Sequence, residues 1–367
     1  MSKPTEKKKI MLALQGGAAY GAFTWGVLDR LLEDDRIEIT AVSGTSAGAL
    51  NASALAHGLD ENGKDGAKEK IKAVWDSLTY DEVVKNVPYV GETGSKSNRA
   101  LSKLFKKFSS GNGHADFIKS LQAVTQGATL SLINSTEGMF EETLEKAVDF
   151  DKLKNKKDGI PLFVAATDIN DHKARIFDRS DLSATAVKAS CALPVIIGEV
   201  EIDGKMYWDG GYTSNPPLCP LLECDDQDIL IVQTMPMVER DDDATVDSVT
   251  GQIMEFSNNA SLRHELEAID KDNERVRKDP EAAEKLGMKE IHTHTIHMGK
   301  SMKAEHMMCF DRDHLEELYD NGYQAAEKWL ADNFDDLGKK STFVRTASTA
   351  PSQTQQKQRK NTRFRPH

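Results

Sequence analysis

The chain has 367 residues, room for one large domain or two modest ones. Hydrophobic residues make up 39% and charged ones 29%, with 25 Gly and 11 Pro, which excludes collagen, wholesale disorder and a bare coiled coil. The net charge of −12 is uneven: residues 339–367 hold four Lys, four Arg and no acid, so the rest of the chain is more acidic than the total. An acidic body argues against a nucleic-acid-binding domain, whose footprint would be basic.

Residues 1–9 read as a short basic tail feeding a buried strand at 10–14. Five apolar residues followed by Gln15 and Gly16 are too few for the ~7–15 of a secretory signal core, and no apolar run approaches the ~20 of a membrane span. The expectation is therefore a cytoplasmic protein with Cys191, Cys219, Cys224 and Cys309 as reduced thiols. Residues 20–33 carry Phe23, Val27 and Leu31 on one helical face, 38–42 alternate as a strand, and 49–57 predict another helix. Strand, glycine turn, helix, strand, tight turn and helix within sixty residues is the pattern of a parallel α/β sheet.

Residues 58–136 read as a helical, loop-rich insertion. Within it Leu101, Leu104, Phe105 and Phe108 share a helical face flanked by Lys103, Lys106 and Lys107. Such a helix either packs on the core with its lysines in solvent, the commoner outcome, or lies on a membrane surface. The α/β pattern then resumes: a helix at 136–148, strands at 161–166 and 174–177, a helix at 182–191, residues 205–208 leading into Asp209, and a buried strand at 229–232. Two long helices around 250–286, a strand at 290–298 and a helix at 313–333 follow. Residues 339–367, rich in Ser, Thr, Gln and basic residues, are expected to be disordered, solvated or drawn to anionic lipid.

The sharpest chemical signal is Gly44-Thr45-Ser46-Ala47-Gly48, a G-x-S-x-G between a predicted strand and a predicted helix. Small residues at Gly44 and Gly48 allow a turn tight enough to project the Ser46 hydroxyl from the sheet edge. The plainer alternative is a helix-capping serine. A nucleophilic serine also needs N–H donors for a developing oxyanion, and the small-residue turn at Gly16, Gly17 and Ala18 opens a helix suited to that. That run is a poor dinucleotide fingerprint, because Ala18 takes the place of the second glycine. For the base, two arrangements stand: a triad of Ser46, Asp209 and a late His294 or His297, or Asp209 of Asp209-Gly210-Gly211 acting directly. The triad is disfavoured because Ser46 follows only the second strand.

These motifs, with Asn215-Pro216-Pro217, the stretch from Ala189 to Pro194 and the ending at 315–330, resemble the patatin-like phospholipase family over most of residues 10–332. The resemblance implies a three-layer α/β/α sandwich with a mostly parallel sheet, and hydrolysis of lipid acyl esters by a Ser–Asp dyad. Ser46 would be the nucleophile, Asp209 the base, and Gly16, Gly17 and Ala18 the oxyanion loop. It implies a catalytic unit over 10–225, with 58–136 as a helical lid or insertion and 226–338 completing the same fold. Many relatives have glycine where Ala18 stands and a basic residue where Tyr20 stands. Ala18 can still donate its N–H at negative φ, and Tyr20 is open to pack against an acyl chain or neutral ester.

No cofactor and no metal are expected. His292, His294 and His297 lie close together, but without an evident carboxylate or cysteine in register they do not make a metal set. Cys219 and Cys224 read as small hydrophobes, Asp241, Asp242 and Asp243 as a solvated loop, and 265–279 as an exposed charged helix. The expected partner is a lipid or other hydrophobic acyl ester, with peripheral membrane contact through 101–108 and the basic tail, and no nucleic acid. Two alternatives remain open: acyl transfer through the same acyl-serine, and a non-catalytic lipid-surface binding protein.

Overall fold

The computed structural model describes residues 7–79, 82, 139–194, 197–235, 237, 246–299 and 304–343. Its elements begin with β1 (Lys8–Leu14), α1 (Gly21–Glu33), β2 (Ile37–Thr45) and α2 (Ala47–Ser77). Then come α3 (Met139–Ala147), α4 (Phe150–Asn155), β3 (Leu162–Asp168), β4 (Lys173–Asp178), α5 (Ala184–Ser190), β5 (Val200–Ile202) and β6 (Lys205–Asp209). The chain continues through α6 (Cys219–Leu222), β7 (Asp228–Gln233), α7 (Val246–Lys278), α8 (Pro280–Lys285), β8 (His292–His297) and α9 (Arg312–Asn333).

The alternation of β1 explains the layering. Ile10, Leu12 and Leu14 belong to one core, while Met11 and Ala13 belong to another. Successive strand side chains point to opposite faces, so a strand buried on both must be covered on both. Side chains of α1, α2 and α9 fill the larger core. Leu218 and Leu221 at α6 and Leu262, Leu266 and Ile269 of α7 close the smaller one. The expected three-layer sandwich is therefore present.

Strand order is β5-β6-β3-β2-β1-β7-β8, with β4 paired to β3. The run from β3 through β2, β1 and β7 to β8 is parallel; β4, β5 and β6 add antiparallel pairs at one end. The β5–β6 hairpin, absent from the sequence reading, turns on Asp203 and Gly204, both at positive φ. Such an Asp-Gly loop matches the right-handed twist of the strands it joins.

Three other expectations are corrected. The helix expected at 49–57 extends as α2 to Ser77, but Asn62 and Gly63 leave helical geometry and the chain doubles back. Trp75 Nε1 then donates to Asn51 Oδ1 at 2.9 Å, a contact a straight rod would forbid. The two long helices expected at 250–286 are one long α7 and a short α8. Nothing breaks the helix before Pro280, where the Asp279 side chain caps α8 by accepting from Ala282 N. Residues 339–343, expected to belong to the tail, pack against the sheet instead. Thr342 N and Phe343 N donate to Thr293 O, and Thr293 N donates to Ser341 Oγ, so this segment satisfies groups of β8 at the sheet edge. Residues 80–138 other than 82, which include the amphipathic 101–108, lie outside the described residues, as do 241–243 and 344–367.

Candidate active site

β2 ends at Thr45 and α2 starts at Ala47, so Ser46 alone makes the turn. It does so at φ 55° and ψ −123°, a left-handed backbone that costs a non-glycine residue about 1–3 kcal/mol. A Cβ on Gly48 would overlap Leu14 O, and one on Gly44 would overlap Gly48 O. The two glycines thus let β1, β2 and α2 meet backbone to backbone at the elbow. The Ser46 side chain makes no capping bond to α2, which removes the helix-cap reading. Its backbone N–H donates to Ser190 Oγ at 2.8 Å, and Ser190 Oγ–H donates to Ala165 O at 2.6 Å, so a fully buried hydroxyl ties the elbow to β3.

The partner arrives through the register of β3. At Ala165 the flanking residues are Thr45 and Ile176; at Ala166 they are Asp209 and Arg175. A strand has only two edges, and β4 holds one of them throughout. β2 and β6 therefore share the other, meeting nearly head-on. Asp209 occupies the place beside Ala166 that Ser46 would fill had β2 continued. The chain must then leave the sheet at Gly210, where a Cβ would overlap Ala165 O and crowd Thr45 Cγ2. It does so in a 3-10 turn over Gly210–Tyr212.

Asp209 is buried, 4% exposed; its carboxylate accepts the Gly211 N–H at 2.7 Å, and the Ser46 hydroxyl lies near enough to lower its pKa. Burial raises its pKa from the ordinary 3.8 to about 6, against the lowering effect of those two donors. The Cys191 thiol lies near the Ser46 side chain; burial, and next the Asp209 charge, push it well above the ordinary thiol range, so it stays protonated. Beside them Tyr212 is exposed and lies against Trp208, ring centroids 6.1 Å apart.

The Gly16–Ala18 turn lies against Ser46: a Cβ on Gly16 would stand 2.8 Å from Ser46 Cβ. Gly17 has φ 151° and Ala18 φ 49°, so Ala18 does not have the negative φ set as a condition for its N–H donation and takes a strained left-handed backbone instead. Gly16 N–H is already committed to Asn215 Oδ1 at 2.7 Å. The following amides, of Gly17 and Ala18, come at the N-terminal end of a 3-10 turn, where N–H groups have no partner inside the helix. Tyr20 is buried in the larger core, which corrects the expectation that it faces an acyl chain.

The late histidines sit elsewhere. His294 is on β8, three strands from β2 and about 14 Å away at ordinary strand spacing. Its Nε2 meets Asp228 Oδ1 at 2.8 Å and its Nδ1 meets Thr342 Oγ1 at 2.9 Å. His297 follows on the same strand with Nδ1 against Met298 O at 3.0 Å, so neither histidine joins Ser46. Asp228, paired with His292 in register, is a carboxylate the sequence reading did not see among these histidines. It also accepts Gly338 N, and among the described residues no group of three or more candidate ligands could hold a metal ion. No helix among those residues is long and apolar enough to cross a membrane.

Sequence reasoning missed the supporting residues: Ser190, the amide of Asn215, and the polar face of α7. Glu265, expected in an exposed charged helix, accepts Leu218 N at 2.7 Å and Cys219 N at 2.8 Å. The available signals were Asn215 within an Asn-Pro-Pro run and the polar Ser257–Asn258–Asn259 break in the apolar pattern of α7.

A serine at a strand–helix elbow beside a buried carboxylate, at one edge of β3 in an α/β/α sandwich, is an arrangement that fits a hydrolase. Residues 12–222 match the Patatin-like phospholipase family, and the chain belongs to that family. It is 26% identical over 251 residues to "Uncharacterized protein R571" of Acanthamoeba polyphaga mimivirus, covering 66% of this chain and 71% of that protein. Among solved structures it aligns with VipD from Legionella pneumophila at 19% identity and TM-score 0.41, covering 90% of this chain and 68% of the other. It also aligns with the heterodimeric ExoU–SpcU complex from the type III secretion system of Pseudomonas aeruginosa, at 14% identity and TM-score 0.30, covering 89% and 53%. The family supports a lipid hydrolase activity in general terms.

Proposed function

We propose that the protein hydrolyses acyl esters of lipids through an acyl-enzyme on Ser46, with Asp209 as the base. The observation that carries this reading is the meeting of the Ser46 elbow with the end of β6, which sets beside the serine a buried carboxylate whose pKa burial raises to about 6. An ordinary carboxylate is too weak a base for a serine hydroxyl; burial brings this one toward the useful range while leaving it mostly ionised near neutral pH. Ser46 Oγ attacks the ester carbonyl carbon as its proton passes to Asp209. The tetrahedral oxyanion is stabilised by N–H groups at Gly17 and Ala18, aided by the positive end of the helix they open. Collapse breaks the C–O bond, and Asp209 returns the proton to the departing alcohol. Water, deprotonated by Asp209, then releases the fatty acid and restores Ser46. Trp208 and the exposed ring of Tyr212 offer apolar surface beside the dyad for an acyl chain.

The test is labelling with a fluorophosphonate probe, followed by fatty-acid release from phosphatidylcholine vesicles. Labelling of the native chain should vanish in Ser46→Ala and fall at least 100-fold in rate in Asp209→Asn, as expected for loss of a general base, roughly 10²–10⁴. Undiminished labelling in both variants would overturn the dyad. We place this activity in the cytoplasm at lipid surfaces, a setting that fractionation of the native cell would check.

A further inference from the structure

Asn215 connects the oxyanion turn to a helix that lies beyond residues 12–222. Its Oδ1 accepts Gly16 N–H at 2.7 Å, its Nδ2 donates to Asn258 Oδ1 at 3.1 Å, and its backbone N–H donates to Ser261 Oγ at 3.2 Å. Asn258 and Ser261 are three apart on α7 and so share a face. The neighbouring Asn259 binds the other side of the same turn. Gln15 Nε2 donates to Asn259 Oδ1 at 2.8 Å, Gln15 Oε1 accepts Met235 N at 2.9 Å, and Asn259 Nδ2 donates to Met235 O at 2.9 Å. Thr234 Oγ1–H donates to Gly16 O. Both peptide groups of Gly16 are thereby fixed by side chains that are not themselves part of the turn.

This fixing has a chemical consequence. Rotating the peptide before Gly16 would swing its N–H away from Asn215 and redirect the amides that follow. The strained backbone at Ala18, φ 49°, persists only where its surroundings over-determine it. Asn258 also stands by the acid: a Cβ on Gly211 would lie 2.7 Å from Asn258 Oδ1 and 3.0 Å from Asp209 Oδ1. One face of α7 therefore touches both the oxyanion turn, through Asn215, and the turn that follows Asp209.

We propose that Asn215, held by Asn258 and Ser261 of α7, is the positioning residue that orients the Gly17 and Ala18 amides toward the developing oxyanion. The inference rests on the acyl-hydrolase reading of Ser46 and assigns Gly16 a different part from its neighbours. Gly16 N–H is an anchor; the two amides after it are the donors. Asn215 does not touch substrate. Its effect belongs to the transition state, because the donors it aims are used most strongly when the carbonyl oxygen becomes an anion.

The experiment measures kcat and KM of the full chain on p-nitrophenyl butyrate, with active sites counted by fluorophosphonate labelling to completion. Asn215→Ala should lower kcat per labelled site by roughly 10- to 100-fold, toward the 10²–10³ seen when one donor is removed, with KM changed less than about threefold. Asn258→Ala and Ser261→Ala should each lose about 3- to 10-fold in kcat, because they act through Asn215. The double variant Asn215→Ala/Asn258→Ala should be no worse than Asn215→Ala, whereas independent structural losses would multiply. Should Asn215→Ala fail to fold, the two α7 variants decide alone. Full kcat in both, or losses that multiply in the double variant, overturns the proposal. A wild-type chain that takes no label at Ser46 refutes the hydrolase reading instead; a labelled wild type with unaffected variants refutes only this inference.

Discussion

Replacing Asp209 by Asn should make the protein more stable, and only above a particular pH. The carboxyl has an ordinary pKa of 3.8 and about 6 when buried at the site. A raised folded pKa means the folded chain holds this proton longer than the unfolded one. Ionisation therefore works against the fold, and stability is lost as pH rises from about 4 through about 6. A separation of about two units at 1.36 kcal/mol each gives a penalty of roughly 3 kcal/mol, complete near pH 7. Asparagine retains an oxygen for the Gly211 N–H and carries no charge. The variant should gain about 3 kcal/mol over wild type near pH 8 and almost nothing near pH 4. Urea unfolding of both proteins at the two pH values measures the difference, and other titrating groups cancel in the comparison. An equal difference at both pH values, or a wild type more stable than the variant near pH 8, would refute the argument that Asp209 is an uncompensated buried charge. The same titration predicts that kcat/KM for ester hydrolysis falls on the acid side with a midpoint near about 6.

Ser46→Gly and Ser46→Ala both remove the hydroxyl, but only the first relieves the left-handed backbone; Ser46→Gly should be the more stable of the two by about 1 kcal/mol in thermal or chemical unfolding. Gly48→Ala drives a methyl into Leu14 O and should cost about 3 kcal/mol or more. Gly63→Ala, with φ 61° and open space around it, should cost only about 1 kcal/mol. His294→Ala should leave fluorophosphonate labelling of Ser46 intact while lowering stability by about 3 kcal/mol, since it strips a partner from buried Asp228. Loss of labelling in well-folded His294→Ala would revive the triad.

The sequence carried the fold where period and punctuation agreed. β1, α1, β2 and α9 lie close to their expected bounds because their apolar periodicity is uninterrupted and the glycines mark the turns. The chain reversal at Asn62 and Gly63 was not legible, because helical periodicity continues on both sides of it and only the approach of Trp75 to Asn51 reveals the two halves. β5 was legible in principle from Asp203-Gly204, but three residues of strand are too short to stand out by alternation. Ser46 and Asp209 announce themselves because tight turns demand glycine beside them. Asn215, Ser190 and Asn258 have no such local signature. Their geometry depends on which backbone groups arrive from other elements, and register across the sheet decides that.

The seat beside Ala166 has a consequence for how such a chain can change. Thr45, which leads directly into Ser46, and Asp209 are indexed to consecutive positions of one strand, a step of about 3.4 Å, and not to the lengths of the segments that join them. Material inserted between α2 and β3, or between β4 and β6, lengthens an excursion that leaves from and returns to the same ruler. New surfaces can accumulate over the site while the reacting atoms keep their spacing.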